Sequence, residues 1–289
     1  MENLDWIDRK EYPFKSHHID LEMGRMHYID EGQGEPMVLL HGNPTWSFLY
    51  RHLIKCLSKN YRCVAPDHIG FGLSAKPQNW SYLPEAHAQN TAKLIEKLGL
   101  KNITLVMQDW GGPIGISYAV NNPDNVKRLV IMNTWMWSVE DEPHARRFSK
   151  FMGGFVGKFM IRRLNFFVNN IMNAGTLNKE RFTEKIHDHY RKPHENPDDR
   201  LSSWVLPREI LGSGGWLNEL WSRREKIADK KALILWAMED IAFKKSALER
   251  WQSLMKNAKT IKLENTGHYL QEDRGGELCD PIQKFMEEG

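Results

Sequence analysis

The thirteen-residue run from Ile103 to Gly115, ITLVMQDWGGPIG, admits few folds. Its largely apolar beginning reads as a buried strand that stops at Gln108 and Asp109. Trp110, Gly111 and Gly112 follow, and then a helical pattern from Ile114 to Asn121. Strand, sharp turn and helix is the geometry of a nucleophile elbow, which lifts one side chain above the end of a sheet. Small residues are needed just past the tip because helix and strand approach closely there. The tip residue is Asp109, and no G-x-S-x-G occurs in the chain. A serine needs a base before it can attack, whereas a carboxyl group with an ordinary pKa of about 3.9 is already an anion at neutral pH. Such a carboxylate can displace a leaving group from carbon and form an ester. The competing reading, Asp109 as a simple helix cap, has to be weighed against the rest of the chain.

The 289 residues, 41% of them hydrophobic, suffice for one large domain with an inserted subdomain. A net charge of +3, taken as spread along the chain, gives no reason to expect nucleic acid or an anionic membrane as a partner. Cys56, Cys63 and Cys279 have no metal-ligand spacing and are expected to be reduced thiols in a cytoplasmic protein. The acidic N-terminal segment lacks the apolar run of a signal peptide, and no stretch approaches a membrane span.

Taken in order, residues 18–22, 26–30 and 37–40 read as strands. The third ends in His41-Gly42-Asn43-Pro44-Thr45-Trp46. A loop after a central strand is where open α/β sheets place their sites, and here it is suited to donate a backbone N–H to an oxyanion. Pro44 also fits a plain turn into a helix running to about Ser58. After a strand at 61–66, the loop from Asp67 to Ser74 carries Gly70 and Gly72 in a spacing that does not match a dinucleotide-binding turn. Asp67 reads as structural. A helix over 84–98 precedes the elbow, and a strand over 127–132 follows it.

From residue 137 to 215 the pattern is helical. Phe148, Phe151, Phe155 and Phe159 recur at helix spacing. This predicts a helical cap (137–215) inserted into a core made of 1–136 and 216–289. Most of those rings are expected to pack inward, with a few lining an apolar pocket. The core resumes with strands at 232–237 and 258–263. Asp240 follows the first and His268 the second. The chain order Asp109, Asp240, His268 is nucleophile, acid, base, each at the carboxyl end of a strand, which is the order of triads on α/β-hydrolase folds. The expected fold class is therefore α/β: a mostly parallel sheet flanked by helices, with an inserted helical cap.

HGNPTWS at 41–47, APDHIGFGLSAKP at 65–77, QDWGGPIG at 108–115 and TGHYLQED at 266–273 resemble the haloalkane dehalogenases over nearly the whole chain. The resemblance implies Asp109 as nucleophile, His268 as base and Asp240 as the acid that orients it. It further implies Asn43 and Trp110 as the pair that grips the departing halide, with an additional contact from Pro207. The implied substrate is a small halogenated hydrocarbon and the other partners are halide and water, with no metal or cofactor. His68 departs from the matched motif, where an apolar residue is more usual, and is expected to affect only the surface beside the site.

The chemistry agrees with that resemblance. Negative charge builds on the leaving halide, which two N–H donors in an apolar pocket can stabilise. Neutral His268 would then activate water against the ester. The nearest alternative is an epoxide hydrolase, which needs cap tyrosines as general acids; the expected cap holds only Tyr190. A fluoroacetate-type dehalogenase would want arginines at the elbow, where Trp110, Gly111 and Gly112 offer none. A catalytically idle hydrolase used for binding remains a reading that fold alone does not remove.

Overall fold

Strand propensity builds one eight-stranded sheet in the computed structural model of this chain, in which residues 4–288 are described. The strands are β1 (Ser16–Leu21), β2 (Gly24–Glu31), β3 (Pro36–Leu40), β4 (Arg62–Pro66), β5 (Ile103–Gln108), β6 (Val126–Met132), β7 (Lys231–Ala237) and β8 (Lys259–Leu263). Their order across the sheet is β1-β2-β4-β3-β5-β6-β7-β8. Only β2 opposes its neighbours; the six strands from β4 to β8 pair in parallel. Chain direction across the sheet reverses at β3, which sits between β4 and β5, and the crevice above such a switch point is where open sheets hold ligands.

Successive residues of the central strands face opposite layers. Leu105 and Met107 enter one core with Leu94 and Ile114, while Val106 enters the other with Ile54 and Ile282. Burial on both faces explains why β5 reads as a continuous run rather than an alternating one. Helices α2 (Pro84–Lys97) and α3 (Gly111–Asn121) cover the first layer; α1 (Arg51–Leu57) and the helix Cys279–Glu287 cover the second.

The three cysteines are not all thiols. Cys56, at the end of α1, is bonded to Cys279, at the start of the helix Cys279–Glu287, with their Cα atoms 6.4 Å apart. Only Cys63 is free, and it is buried. The expectation of three reduced thiols fails because pairing depends on two helices meeting across 223 residues of sequence, which spacing rules do not detect. With it goes the cysteine argument for a reducing compartment. Among the described residues no helix is long and apolar enough to cross a membrane.

Between β6 and β7 the chain is helical. It forms α4 (Pro143–Gly153), α5 (Phe155–Leu164), a π-helical stretch at Phe167–Met172, and helices at Glu184–Arg191, Leu201–Gly212 and Gly214–Ser222. The expected cap boundary at residue 215 falls inside this last helix. The aromatic repeat spans two helices, which part between Gly153 and Gly154. At Gly153 a side chain would sit 2.7 Å from the Arg208 backbone, and at Gly157 it would run into the backbone of Met152. Phe148 faces inward, but Phe151, Phe155 and Phe159 are 54%, 87% and 55% exposed, contrary to the expected packing. Tyr190 is anchored elsewhere: its hydroxyl donates to Glu272, whose two oxygens also accept from Arg51 Nη1 at 2.5 Å and Nη2 at 2.7 Å. Tyr190 thereby ties the helical insertion to the buried Arg51–Glu272 pair of the core, and stranding Arg51 without its acid would cost about 3–5 kcal/mol.

Protein unfolded without reductant should therefore expose one titratable thiol, rising to three after reduction, by thiol-reagent absorbance. Three thiols before reduction would show that the bond does not form in the isolated chain.

Candidate active site

The elbow is assembled by close approach of three strand ends. Asp109 has φ of 51°, a left-handed conformation that costs a non-glycine residue about 1–3 kcal/mol and needs surrounding structure to hold it. Its N–H donates to the Asn133 carbonyl at 3.1 Å, and its own carbonyl accepts from Gly112 N–H at 2.9 Å and from the Thr134 hydroxyl at 2.5 Å. Side chains at Gly42, Gly111 or Gly112 would collide with Asp109, the Leu40 carbonyl and Thr134 respectively. Those glycines let β3, β5 and β6 close on one another. The carboxylate points into a cavity, with Oδ1 held by the backbone N–H of Asn43 at 2.8 Å.

His268 comes to the same place from the loop after β8. Its Nε2 lies 3.8 Å from Asp109 Oδ2, and its Nδ1 donates to Asp240 Oδ2 at 2.9 Å. Asp240 is itself fixed, its other oxygen accepting from the amides of Ala242 at 2.6 Å and Phe243 at 3.1 Å. Glu239, the neighbouring acid, turns away and accepts from Thr266 N–H at 3.0 Å, so it steadies the loop rather than the ring. Asn133, at the end of β6, bridges to β7 through the Ala237 amide (2.7 Å) and carbonyl (3.0 Å).

Two supporting groups were not singled out from the sequence. Gln108 Nε2 donates to the His268 carbonyl at 3.2 Å and lies 3.1 Å from His268 Nε2, and Phe243 stacks on the imidazole with ring centroids 5.7 Å apart. The polar residue ending an otherwise apolar strand was the available signal for Gln108. Nothing local marked Phe243.

The cavity has a volume of about 400 Å³ and is mainly apolar. Asp109, His268, Asn43, Trp110 and Pro207 all line it, together with Trp135, Phe148, Phe167 and Ile171. Asp240 lies behind His268 and does not. The Trp110 ring packs edge-on against Trp135 at 4.6 Å. Pro207 lies inside the helix Leu201–Gly212. Its missing N–H leaves the carbonyl of Ser203, four residues back, without its helical donor. The Asn43 side-chain amide donates to that carbonyl at 3.3 Å. Pro207 thus frees the acceptor that orients Asn43.

His68 is buried rather than on the surface. Its backbone N–H donates to His41 Nε2 at 2.9 Å and its ring nitrogen lies 3.2 Å from the His41 carbonyl, so it braces the loop that carries Asn43. Among the described residues no group of three or more His, Cys, Asp or Glu is arranged to hold a metal ion.

Burial raises the Asp109 pKa above its ordinary range, against the opposing pull of His268 and of the Asn43 and Trp110 amides. Burial also disfavours the His268 imidazolium, but Asp240, through charge and hydrogen bond, and then Asp109 outweigh it, so the His268 pKa is raised. Replacing Asp240 with Asn should accordingly lower the His268 pKa, read from the pH titration of its ring resonances by NMR. Glu239→Gln should leave that titration in place, and an unmoved resonance in Asp240→Asn would sink the assignment of Asp240 as its partner.

Comparisons with known proteins agree with this architecture. The α/β-hydrolase fold family matches residues 35–275. Haloalkane dehalogenase 2 of Mycobacterium tuberculosis (strain H37Rv) is 38% identical over 95% of this chain and 96% of its own length. A cis-3-alkyl-4-alkyloxetan-2-one decarboxylase of Shewanella oneidensis is 34% identical over 96% of this chain and 89% of its own. The crystal structure of haloalkane dehalogenase DbeA from Bradyrhizobium elkani superposes with a TM-score of 0.84 at 26% identity, covering 96% of this chain and 100% of that one. A carboxylate on the elbow, a histidine–aspartate pair beside it and full-length similarity place this chain among the α/β hydrolases, in the haloalkane dehalogenase family.

Proposed function

We propose that this protein hydrolyses haloalkanes to alcohol, halide and a proton through an alkyl ester on Asp109. The observation that carries the reading is the Asp109 carboxylate opening into a mainly apolar cavity, 3.8 Å from a histidine whose far nitrogen is bonded to Asp240. Residues 137–215 act as the cap in this scheme, because Phe148, Phe167 and Pro207 close the cavity over the core.

In the first step an Asp109 oxygen bonds to the halogen-bearing carbon as the carbon–halogen bond breaks. The leaving halide is taken up by the side-chain N–H groups of Asn43 and Trp110, and no proton moves. In the second step His268 Nε2 takes a proton from water and the hydroxide attacks the ester carbonyl carbon, with the oxyanion held by the backbone amides of Asn43 and Trp110. Collapse expels the alkoxide, which takes the proton from His268 to become the alcohol, and the Asp109 acid so formed loses its proton to restore the carboxylate and complete the products.

The charges favour this order. In the free site the Asp109 anion helps hold the His268 pKa up. Esterification removes that anion, so the imidazole becomes easier to keep neutral when a base is required, while Asp240 still stabilises the cation formed as water is deprotonated. An epoxide hydrolase is not favoured. Tyr190 is committed to Glu272 and does not line the cavity.

The similarity to an oxetan-2-one decarboxylase supports one second reading. Asp109 would attack the ring C–O carbon of a β-lactone, and that C–O bond would break to release a tethered carboxylate. Loss of CO2 would then form the alkene and expel Asp109, without water. Both readings share the first step and differ in the leaving group.

A panel of short bromoalkanes should release bromide and alcohol. His268→Ala should slow turnover by roughly 10²–10⁴-fold and accumulate one alkyl adduct by intact-protein mass spectrometry, absent in Asp109→Asn. Substrate binding without an adduct in the His268 variant would overturn the ester scheme. Alkene and CO2 from a cis-dialkyl oxetan-2-one, with no bromide from any bromoalkane, would select the second reading.

Pro207→Ala should return a helical donor to Ser203 and release Asn43. Loss of one hydrogen bond predicts about 2- to 10-fold weaker bromide binding, measured by tryptophan quenching. Unchanged binding would remove Pro207 from the halide site.

A further inference from the structure

The outer faces of α4 and α5 combine exposed apolar side chains with cations that form no ion pair among the described residues. Residues 143–164 contain six Lys or Arg and no Asp or Glu, although the whole chain carries only +3. Phe151, Phe155, Val156 and Phe159 are 54%, 87%, 55% and 55% exposed. Arg146, Arg147, Lys150 and Arg163 are exposed as well. None of these four cations pairs with a carboxylate among the described residues; Glu142 lies 3.6 Å from His144 and Asp198 bonds Arg162 at 2.7 Å, while Glu140 and Asp141 are exposed ahead of the first turn of α4. Helical spacing puts Arg147, Lys150 and Phe151 on one stripe of α4, and Phe155, Phe159 and Arg163 on one stripe of α5. The opposite faces are spoken for: Met152 and Ile161 pack inward with Phe167.

We propose that this stripe is a docking surface for an anionic lipid bilayer. Aromatic side chains interleaved with cations, on helices too short to span, are the composition of an interfacial contact. The rings would enter the headgroup boundary while the cations meet lipid phosphates, each charge adding to the attraction. A second copy of this chain fits poorly, because a two-fold contact would set the cationic stripe against itself. The expectation of no membrane partner rested on net charge averaged over the chain, and the average conceals this patch. The inner side of α4 lines the cavity through Ala145 and Phe148, so a docked molecule would hold its cavity wall beside the lipid that dissolves apolar substrates. That last link rests on the proposed reaction; the docking does not.

The test is flotation of the full-length protein with phosphatidylcholine vesicles containing about one-third phosphatidylglycerol. It should bind these at least tenfold more tightly than vesicles of phosphatidylcholine alone, and lose the preference at about 0.5 M salt. Phe155→Ser with Phe159→Ser should weaken binding by roughly tenfold or more. Arg146→Glu with Arg147→Glu and Lys150→Glu should weaken it by roughly 100-fold or more. Both variants should keep the wild-type circular dichroism spectrum and Tm, since these side chains are exposed. Absence of wild-type binding to the anionic vesicles overturns the proposal, as does equal binding by wild type and both variants. A concentration-dependent dimer that Phe155→Ser dissociates, without lipid binding, would identify a second copy as the occupant and overturn it too. A failed vesicle assay leaves the bromide-release assay untouched, so the two readings fall separately.

Discussion

Everything at the site depends on how closely three strand ends can approach. Asp109 holds a left-handed backbone only because its N–H is taken by Asn133 and its carbonyl by Gly112 and Thr134. Gly42, Gly111 and Gly112 leave no side chain to keep β3, β5 and β6 apart. The local strain of about 1–3 kcal/mol is offset by packing that any bulkier residue would undo. The same approach sets the Asn43 amide 2.8 Å from the carboxylate, so the turn that exposes the nucleophile also builds its anion-binding partner.

Within this frame three ionisable groups lie largely buried beside a mainly apolar cavity. Burial raises Asp109, while Asp240 and Asp109 together raise His268 against burial. In the proposed cycle the middle group changes its balance when one neighbour becomes an ester, so covalent chemistry on Asp109 adjusts the base that follows. Asp240 can serve this way because the Ala242 and Phe243 amides hold its other oxygen. The helical insertion takes part through backbone as well as side chains. A proline inside the helix Leu201–Gly212 leaves Ser203 an acceptor for Asn43, which couples the insertion to the loop after β3.

Much of this was legible in the amino-acid order. Strand placements agree with periodicity to within about two residues, and α3 begins at Gly111, three residues before the helical pattern sets in. Asp109, Asp240 and His268 stand at strand ends because apolar runs stop there, a local signal that needs no partner to be seen. Glycines flanking the elbow are equally local. These features follow from propensity and pattern, which neighbouring residues settle among themselves.

Other features depend on which distant segments meet. Cys56 and Cys279 pair because α1 lies against the helix Cys279–Glu287. Adjacent acids at 239 and 240 look equivalent in sequence, yet one clamps Thr266 and the other meets the imidazole. The phenylalanine repeat marks helix, but which rings face the cavity and which face solvent depends on how α4 and α5 lie against the core: Phe148 lines the cavity while Phe151, on the same helix, and Phe155 and Phe159 beyond the break are exposed. Nothing beside Pro207 in the chain shows that it leaves the Ser203 carbonyl for Asn43, a contact made across 160 residues. The amino-acid order alone determined which groups the fold presents at its strand ends. Tertiary structure decided their partners, because a hydrogen bond, a disulfide or a buried face depends on distances between segments that are remote in the chain.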